Sequence, residues 1–170
     1  MKKILYVPNP ILKKKAIDLK KINKEDLLLA DEMIEIMERA PGVGLAANQI
    51  GILKKIIKIN IKDKQKQSQQ KYVLFNPKIT SFSKETVIME EGCLSIPEQF
   101  ADIERPKEIT LEYINIKKKI VKKKAVGIEA RILQHEIDHL NGKLFIDYLS
   151  SLKRNIILKK VKKLIKNGEV

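Results

Sequence analysis

The sequence predicts an α+β fold in one domain spanning residues 1–170, with antiparallel or mixed β-sheets packed around a central helix and further helices toward the N- and C-termini. Three observations carry this. Residues 25–40 place Leu29, Met33, Ile36, Met37 and Ala40 on one helical arc, with Glu25, Asp31, Glu32, Glu35 and Glu38 largely opposite. Residues 151–166 place Ile157, Leu158, Val161, Leu164 and Ile165 on one arc and Lys159, Lys160, Lys162, Lys163 and Lys166 on the other. Between these helices, residues 56–61, 72–75, 86–89 and 109–114 are short segments rich in β-branched and aromatic residues, the last alternating cleanly.

In chain order, the first helix ends before Pro41-Gly42, because proline does not continue a helix. Residues 62–71, almost all Lys and Gln, read as an exposed, mobile hairpin loop. Residues 117–124 hold six lysines and read as a hairpin with a solvated face. A further helix over about 126–141 stops at Gly142, the residue best suited to a left-handed cap. A chain of 170 residues buries a core without staples, and its single Cys excludes an internal disulfide framework. The N-terminal run is basic and then apolar, too short for a secretion signal, and no stretch could span a bilayer. A cytoplasmic placement follows, consistent with keeping a thiolate reduced.

The two histidines of the chain lie together in Gln134-His135-Glu136-Ile137-Asp138-His139, within the helix expected over about 126–141. At a spacing of i, i+4 both imidazoles leave one face, with Glu136 one residue along from the first. Neutral imidazoles are the commonest ligands for divalent transition metals, and a non-ligating carboxylate beside them can move a proton. A catalytic site of this kind uses three protein ligands. No third His exists; the position six residues beyond His139 is Phe145, and downstream of His139 the only acids are Asp147 and the near-terminal Glu169. The remaining soft donor is Cys93, in Glu90-Glu91-Gly92-Cys93-Leu94-Ser95-Ile96-Pro97. There Gly92 permits close backbone approach and Pro97 stiffens the exit, so the thiol is expected on a fixed, turn-like loop. Two imidazoles and one thiolate suit Zn(II) and Fe(II) alike.

These residues carry a family resemblance. The segments Gly42-Val43-Gly44-Leu45-Ala46-Ala47-Asn48-Gln49, Glu91-Gly92-Cys93-Leu94-Ser95 and Gln134-His135-Glu136-Ile137-Asp138-His139-Leu140-Asn141-Gly142 resemble, in order and separation, the three signatures of the bacterial peptide deformylases. The resemblance implies a metallohydrolase that removes the N-formyl group from the initiator methionine of nascent polypeptides and releases formate. It implies a metal held by Cys93, His135 and His139, with Fe(II) the native ion and Zn(II) the alternative. Metal-bound water is then the nucleophile, Glu136 the general acid and base, and the Gln49 amide and Leu94 N–H the donors to the developing oxyanion. Val43, Gly44, Met89, Glu91, Gly92, Ile128 and Ile132 are implied as substrate-binding. On the metal helix, residues 128, 131, 132, 135 and 139 share one face, so Ile128 and Ile132 flank His135 as an apolar wall, with Val43 and Met89 as partners. An Arg105–Asp138 pair is implied as a support for the metal helix.

The chain departs from the family pattern at Asn48, where many members have proline and the turn is expected to loosen. It departs again at Phe100, where some relatives have Arg beside the peptide groove, and in the 115–125 hairpin, which lacks a turn glycine. The net charge of +14 comes from Lys, with only four Arg, so sequence-specific nucleic-acid recognition is not expected. The basic arc of the C-terminal helix is the expected contact with the ribosome, no membrane association is expected, and the protein is expected to be a monomer. Two rival readings are a His-Glu-x-x-His endopeptidase and a non-catalytic RNA- or ribosome-binding protein with a structural metal. Neither requires an amide at Gln49.

Overall fold

The computed structural model describes residues 2–63 and 67–170. Three helices, α1 (Lys24–Arg39), α2 (Gly127–Leu140) and α3 (Ser151–Lys166), accompany seven strands: β1 (Gly44–Ala46), β2 (Ile56–Asp63), β3 (Ser68–Phe82), β4 (Thr86–Cys93), β5 (Ile96–Pro106), β6 (Glu108–Ile114) and β7 (Ile120–Val126). Five strands form one antiparallel sheet in the order β1-β2-β3-β6-β7, and β4 and β5 form a separate hairpin.

The sheet is covered on both faces because β2 alternates. Ile57 and Ile59 join Leu74, Ile109 and Leu111 under Leu133, Ile137 and Leu140 of α2, while Ile56 joins Val73 and Phe75 under Met33, Ile36 and Met37 of α1. A third cluster packs Ile96 and Ile103 of β5 against Ile157 and Val161 of α3, with Phe145 among them. The metal helix of the sequence is therefore central, with ten of its fourteen residues buried. It begins at Gly127, with φ +58°, and ends at Leu140, two residues before Gly142 with φ +72°. There the Lys143 and Gly142 N–H groups return to the Asp138 and His139 carbonyls, closing the helix with two hydrogen bonds.

Helix α1 starts one residue before the expected range, where Asn23 and Asp26 cap each other's backbone reciprocally. Asp26 is buried and paired with Lys54 at 2.7 Å. The expected 62–71 loop is mostly strand: β2 runs to Asp63 and β3 starts at Ser68, Gln67 just before it takes φ +47°, and 64–66 lie outside the described residues. Without a glycine in the 115–119 turn, Lys118 takes φ +60° and the Asn115 side chain accepts from the Lys117 and Lys119 N–H groups. Asn48 does not loosen its turn. It is fully buried and donates through Nδ2 to the Lys14 carbonyl at 2.8 Å, tying the 3-10 turn Ala47–Ile50 to the N-terminal segment. No helix among the described residues is long and apolar enough to cross a membrane.

Candidate metal centre

Cys93 is the last residue of β4, not part of a loop; the register slips between Gly92 and Cys93, and this bulge re-aims the thiol. Its Sγ lies 3.3 Å from Nε2 of His139, which lies 3.2 Å from Nε2 of His135. One ligand atom from each of the three residues falls within 4.8 Å of the others, at a depth where both rings are buried. The position a third histidine would take in a related spacing, Phe145, is filled by a buried ring stacked 6.2 Å from that of His135.

The donor set fits a cation. Two imidazoles and a thiol form a soft tridentate cradle for one divalent ion. Burial opposes a charge on both rings, yet hydrogen bonds to Cys93 and Glu91 push the pKa of His135 well above its ordinary value. Burial and the neighbouring His135 and Arg105 push that of His139 well below it.

One carboxylate orients the first ligand. Glu91 accepts from Nδ1 of His135 at 2.9 Å, which leaves Nε2 of that ring facing the centre. The same buried carboxylate accepts from Arg105 Nε at 2.5 Å and Nη2 at 3.0 Å, and from Arg131 Nη1 at 2.8 Å. Burial alone would raise the Glu91 pKa, but hydrogen bonds and charge from His135 and Arg105 outweigh it and hold the carboxyl well below the usual range. Arg105 continues to Asp138 at 2.8 Å, the pair expected from the sequence, and Tyr148 donates to the same Asp138 oxygen at 2.7 Å. Arg131 was not anticipated. Its Nη1 donates to the Ile103 carbonyl and its Nη2 to the Val87 carbonyl, so one guanidinium fastens both strands of the hairpin, and hence Cys93, to the helix that carries the histidines.

On the other side of the ligands, Gln49 is buried, and its Oε1 accepts from the Ala46 N–H at 2.9 Å. That bond fixes the amide, so Nε2 points at Ser95 Oγ (3.2 Å) and Cys93 Sγ (3.5 Å). Glu136 is also buried, with Oε2 lacking any partner, and burial pushes its carboxyl up to about 7. Gly44 makes room for it: a Cβ on Gly44 would overlap the Glu136 carboxylate, with Cγ and Cδ only 2.8 and 2.9 Å away.

A cavity of about 580 Å³ opens beside these groups. Of the sequence-predicted residues, Cys93, His135, Glu136, Gln49, Leu94, Val43, Gly44, Glu91, Gly92, Ile128 and Ile132 line it, while His139 lies behind the wall. Ile132 is buried in its wall, while Val43 and Ile128, each about half exposed at 50% and 52%, sit at the rim. Two expectations are corrected. Met89 does not line the cavity, because only the last four residues of β4, Glu90 to Cys93, reach it, and Met89 lies short of them along the strand. Glu91 does line it, but its two oxygens are taken by Arg105, Arg131 and His135, which leaves it a supporting rather than a substrate-contacting group.

Comparison with known proteins settles the family. Residues 1–155 match the family model described as Polypeptide deformylase. The chain belongs to that family. It is 43% identical to the peptide deformylase of Rhizobium meliloti (strain 1021), over 98% of this chain and 95% of the relative. It is 44% identical to that of Pelagibacter ubique (strain HTCC1062), over 98% and 96%. Among solved structures, the peptide deformylase of Ehrlichia chaffeensis superposes with a TM-score of 0.95 at 36% identity, covering 100% of this chain and 99% of that one. A complex of the Ehrlichia chaffeensis peptide deformylase with actinonin gives 0.91 at 39% identity over 96% of each chain. Membership sets aside both rival readings, the endopeptidase and the non-catalytic binding protein.

Proposed function

We propose that Cys93, His135 and His139 hold one divalent cation, Fe(II) as the native ion and Zn(II) as an alternative, and that residues 1–170 act as one catalytic domain around it. The reaction is that of the family, hydrolytic removal of the N-formyl group from the initiator methionine of nascent polypeptides with release of formate. The observation that carries this reading is the convergence of a thiol and two Nε2 atoms, next along the chain to a buried Glu136, at the wall of a cavity that Cys93, His135 and Glu136 line.

When bound, the cation supplies Lewis acidity, polarising a carbonyl oxygen and acidifying a water. The chain supplies the rest. Glu136, with its carboxyl raised to about 7 by burial, is poised to accept a proton from the attacking water and to return it to the departing amine nitrogen. Amide cleavage needs both transfers. The Gln49 amide, whose Oε1 is held by the Ala46 N–H, and the Leu94 N–H donate to the oxygen on which charge develops, each contributing roughly 2.7–4 kcal/mol by analogy with other hydrolases. Ile132 and Ile128 form the apolar wall for the methionine side chain, and Gly42, Val43 and Gly44 leave a backbone edge against which an extended peptide lies.

The protein is expected to act as a cytoplasmic monomer. The basic arc of α3 is the contact with the ribosome: Lys159, Lys160, Lys162 and Lys163 are exposed on the face opposite the docked Ile157 and Val161. The deciding experiment is anaerobic purification with metal analysis, followed by formate release from formyl-Met-Ala-Ser under ferrous and zinc loading. Turnover that survives metal loading but is lost in Glu136→Gln supports the reading. A metal-loaded wild-type protein that releases no formate contradicts it.

A further inference from the structure

Gln49 and the two histidines stand on different elements, so their spacing is set by whatever joins the 3-10 turn Ala47–Ile50 to helix α2. At the β1 end the join is the close packing of Gly44 on Glu136. A second join runs through residues 13–16, which bridge the end of the helix and the turn. Ala16 N–H donates to the carbonyl of Leu140, the residue after His139, at 2.8 Å. The Lys13 carbonyl packs so closely on Gly142 that a Cβ there would overlap it. On the other side, the Lys14 carbonyl accepts from Nδ2 of Asn48, the residue before Gln49, at 2.8 Å. The bridge is itself anchored, because Leu12 is fully buried in a cluster with Leu144 and Phe145, and the Lys14 N–H returns to the Ile11 carbonyl at 3.0 Å.

We infer that Asn48 is a positioning residue for the Gln49 amide, holding it in register with the metal ligands through the Lys14 carbonyl and residues 13–16. The inference rests on the deformylase reading above and deepens it. Two observations support it besides the path of bonds. Asn48 is fully buried, yet its Oδ1 has no partner among the described residues. A buried amide that satisfies only its donor costs stability that an apolar side chain would not, and such breaches of packing logic are expected where function sets the residue. The tether also acts where precision matters, since a donor to a developing charge must be held within roughly 0.5 Å of its productive place.

The test is a double-mutant comparison of formate release from formyl-Met-Ala-Ser, per bound metal, in the wild type, Asn48→Leu, Asn48→Ser, Gln49→Leu and the two double variants. Leu matches the size of Asn and Ser adds no bulk, so if thermal unfolding shows that one variant does not fold, the other carries the comparison. Each Asn48 variant is expected to lose about 10-fold in kcat with KM and metal content unchanged, because a misplaced donor weakens an interaction made in the transition state. Gln49→Leu should lose about 10²- to 10³-fold, and adding either Asn48 change to it should cost less than about twofold more, since the amide that Asn48 serves is already gone. A merely structural role would cost the same factor in both backgrounds. That result, or Asn48 variants within about twofold of wild type in kcat, or a loss of metal in place of slower turnover, would overturn the inference and leave the deformylase reading intact. A wild type that releases no formate, or a Gln49→Leu enzyme as fast as wild type, would overturn the reading and the inference with it.

Discussion

Gly44 is the position where one added methyl group should separate catalysis from metal binding. A Cβ built there lies 2.8 and 2.9 Å from Cγ and Cδ of Glu136, against the 3.4 Å at which ordinary contact begins. Strand β1 cannot easily retreat: Gly44 pairs with Ile59, Val43 O accepts from Asn60 N–H at 2.9 Å, and Ala46 N–H is committed to Gln49. The Glu136 carboxylate must therefore move, by roughly 0.5–1 Å, and a displacement of that size costs about 10²-fold in rate, or about 2.7 kcal/mol of barrier. Overpacking should also lower stability by about 1–3 kcal/mol. The three ligand atoms lie elsewhere, so Gly44→Ala should keep its metal. The assay is formate release by metal-quantified wild type and Gly44→Ala, with urea unfolding alongside. A metal-loaded Gly44→Ala enzyme with kcat/KM within threefold of wild type would refute the placement of Glu136 as the proton carrier.

Three further outcomes are expected. Glu136→Gln should bind metal at wild-type stoichiometry and lose about 10²- to 10⁴-fold in kcat, measured by formate release with metal analysis. Glu91→Gln should destabilise the fold by about 3–5 kcal/mol in urea unfolding, because it removes the counter-charge of the buried Arg131 and leaves the buried Arg105 with Asp138 alone. The pH dependence follows from the same group. The folded Glu91 carboxyl titrates below its unfolded value of about 4.3, so its contribution to stability is fully present above that value and is lost as the pH falls through it toward the folded one. Urea midpoints should therefore drop between about pH 5 and pH 3, and this segment of the profile should flatten in Glu91→Gln.

The parts of this molecule that were legible in the sequence are those whose signal is local. The C-terminal helix was readable because Ile157 and Val161 recur at helical spacing among lysines, and its bounds agree with the expected 151–166. The His-Glu-x-x-His run sits within one turn of helix, so its shared face followed from periodicity. Cys93 followed from the inventory of donors, although its place at a strand end did not, because a bulge between Gly92 and Cys93 leaves no mark in residue type. Strand β5 was missed for a similar reason: Glu98, Gln99, Asp102 and Glu104 dilute its apolar signal, and two of its inward positions are held by Ile103 and the charged Arg105. The convergence of Arg105, Arg131 and His135 on Glu91 joins residues 14 to 44 apart in sequence. A buried ion cluster of that kind is set by tertiary packing, and Arg131 alone, on a face otherwise read as apolar, gave no sign of it.

The central claim is tested most directly by X-ray absorption at the metal edge of anaerobically purified protein. One sulfur scatterer at about 2.3 Å with two nitrogen scatterers at about 2.0–2.1 Å is expected, one ion per chain, with the sulfur lost in Cys93→Ala. A stoichiometric metal whose shell contains no sulfur, or one that keeps its shell when His135 and His139 are both replaced, would contradict the account.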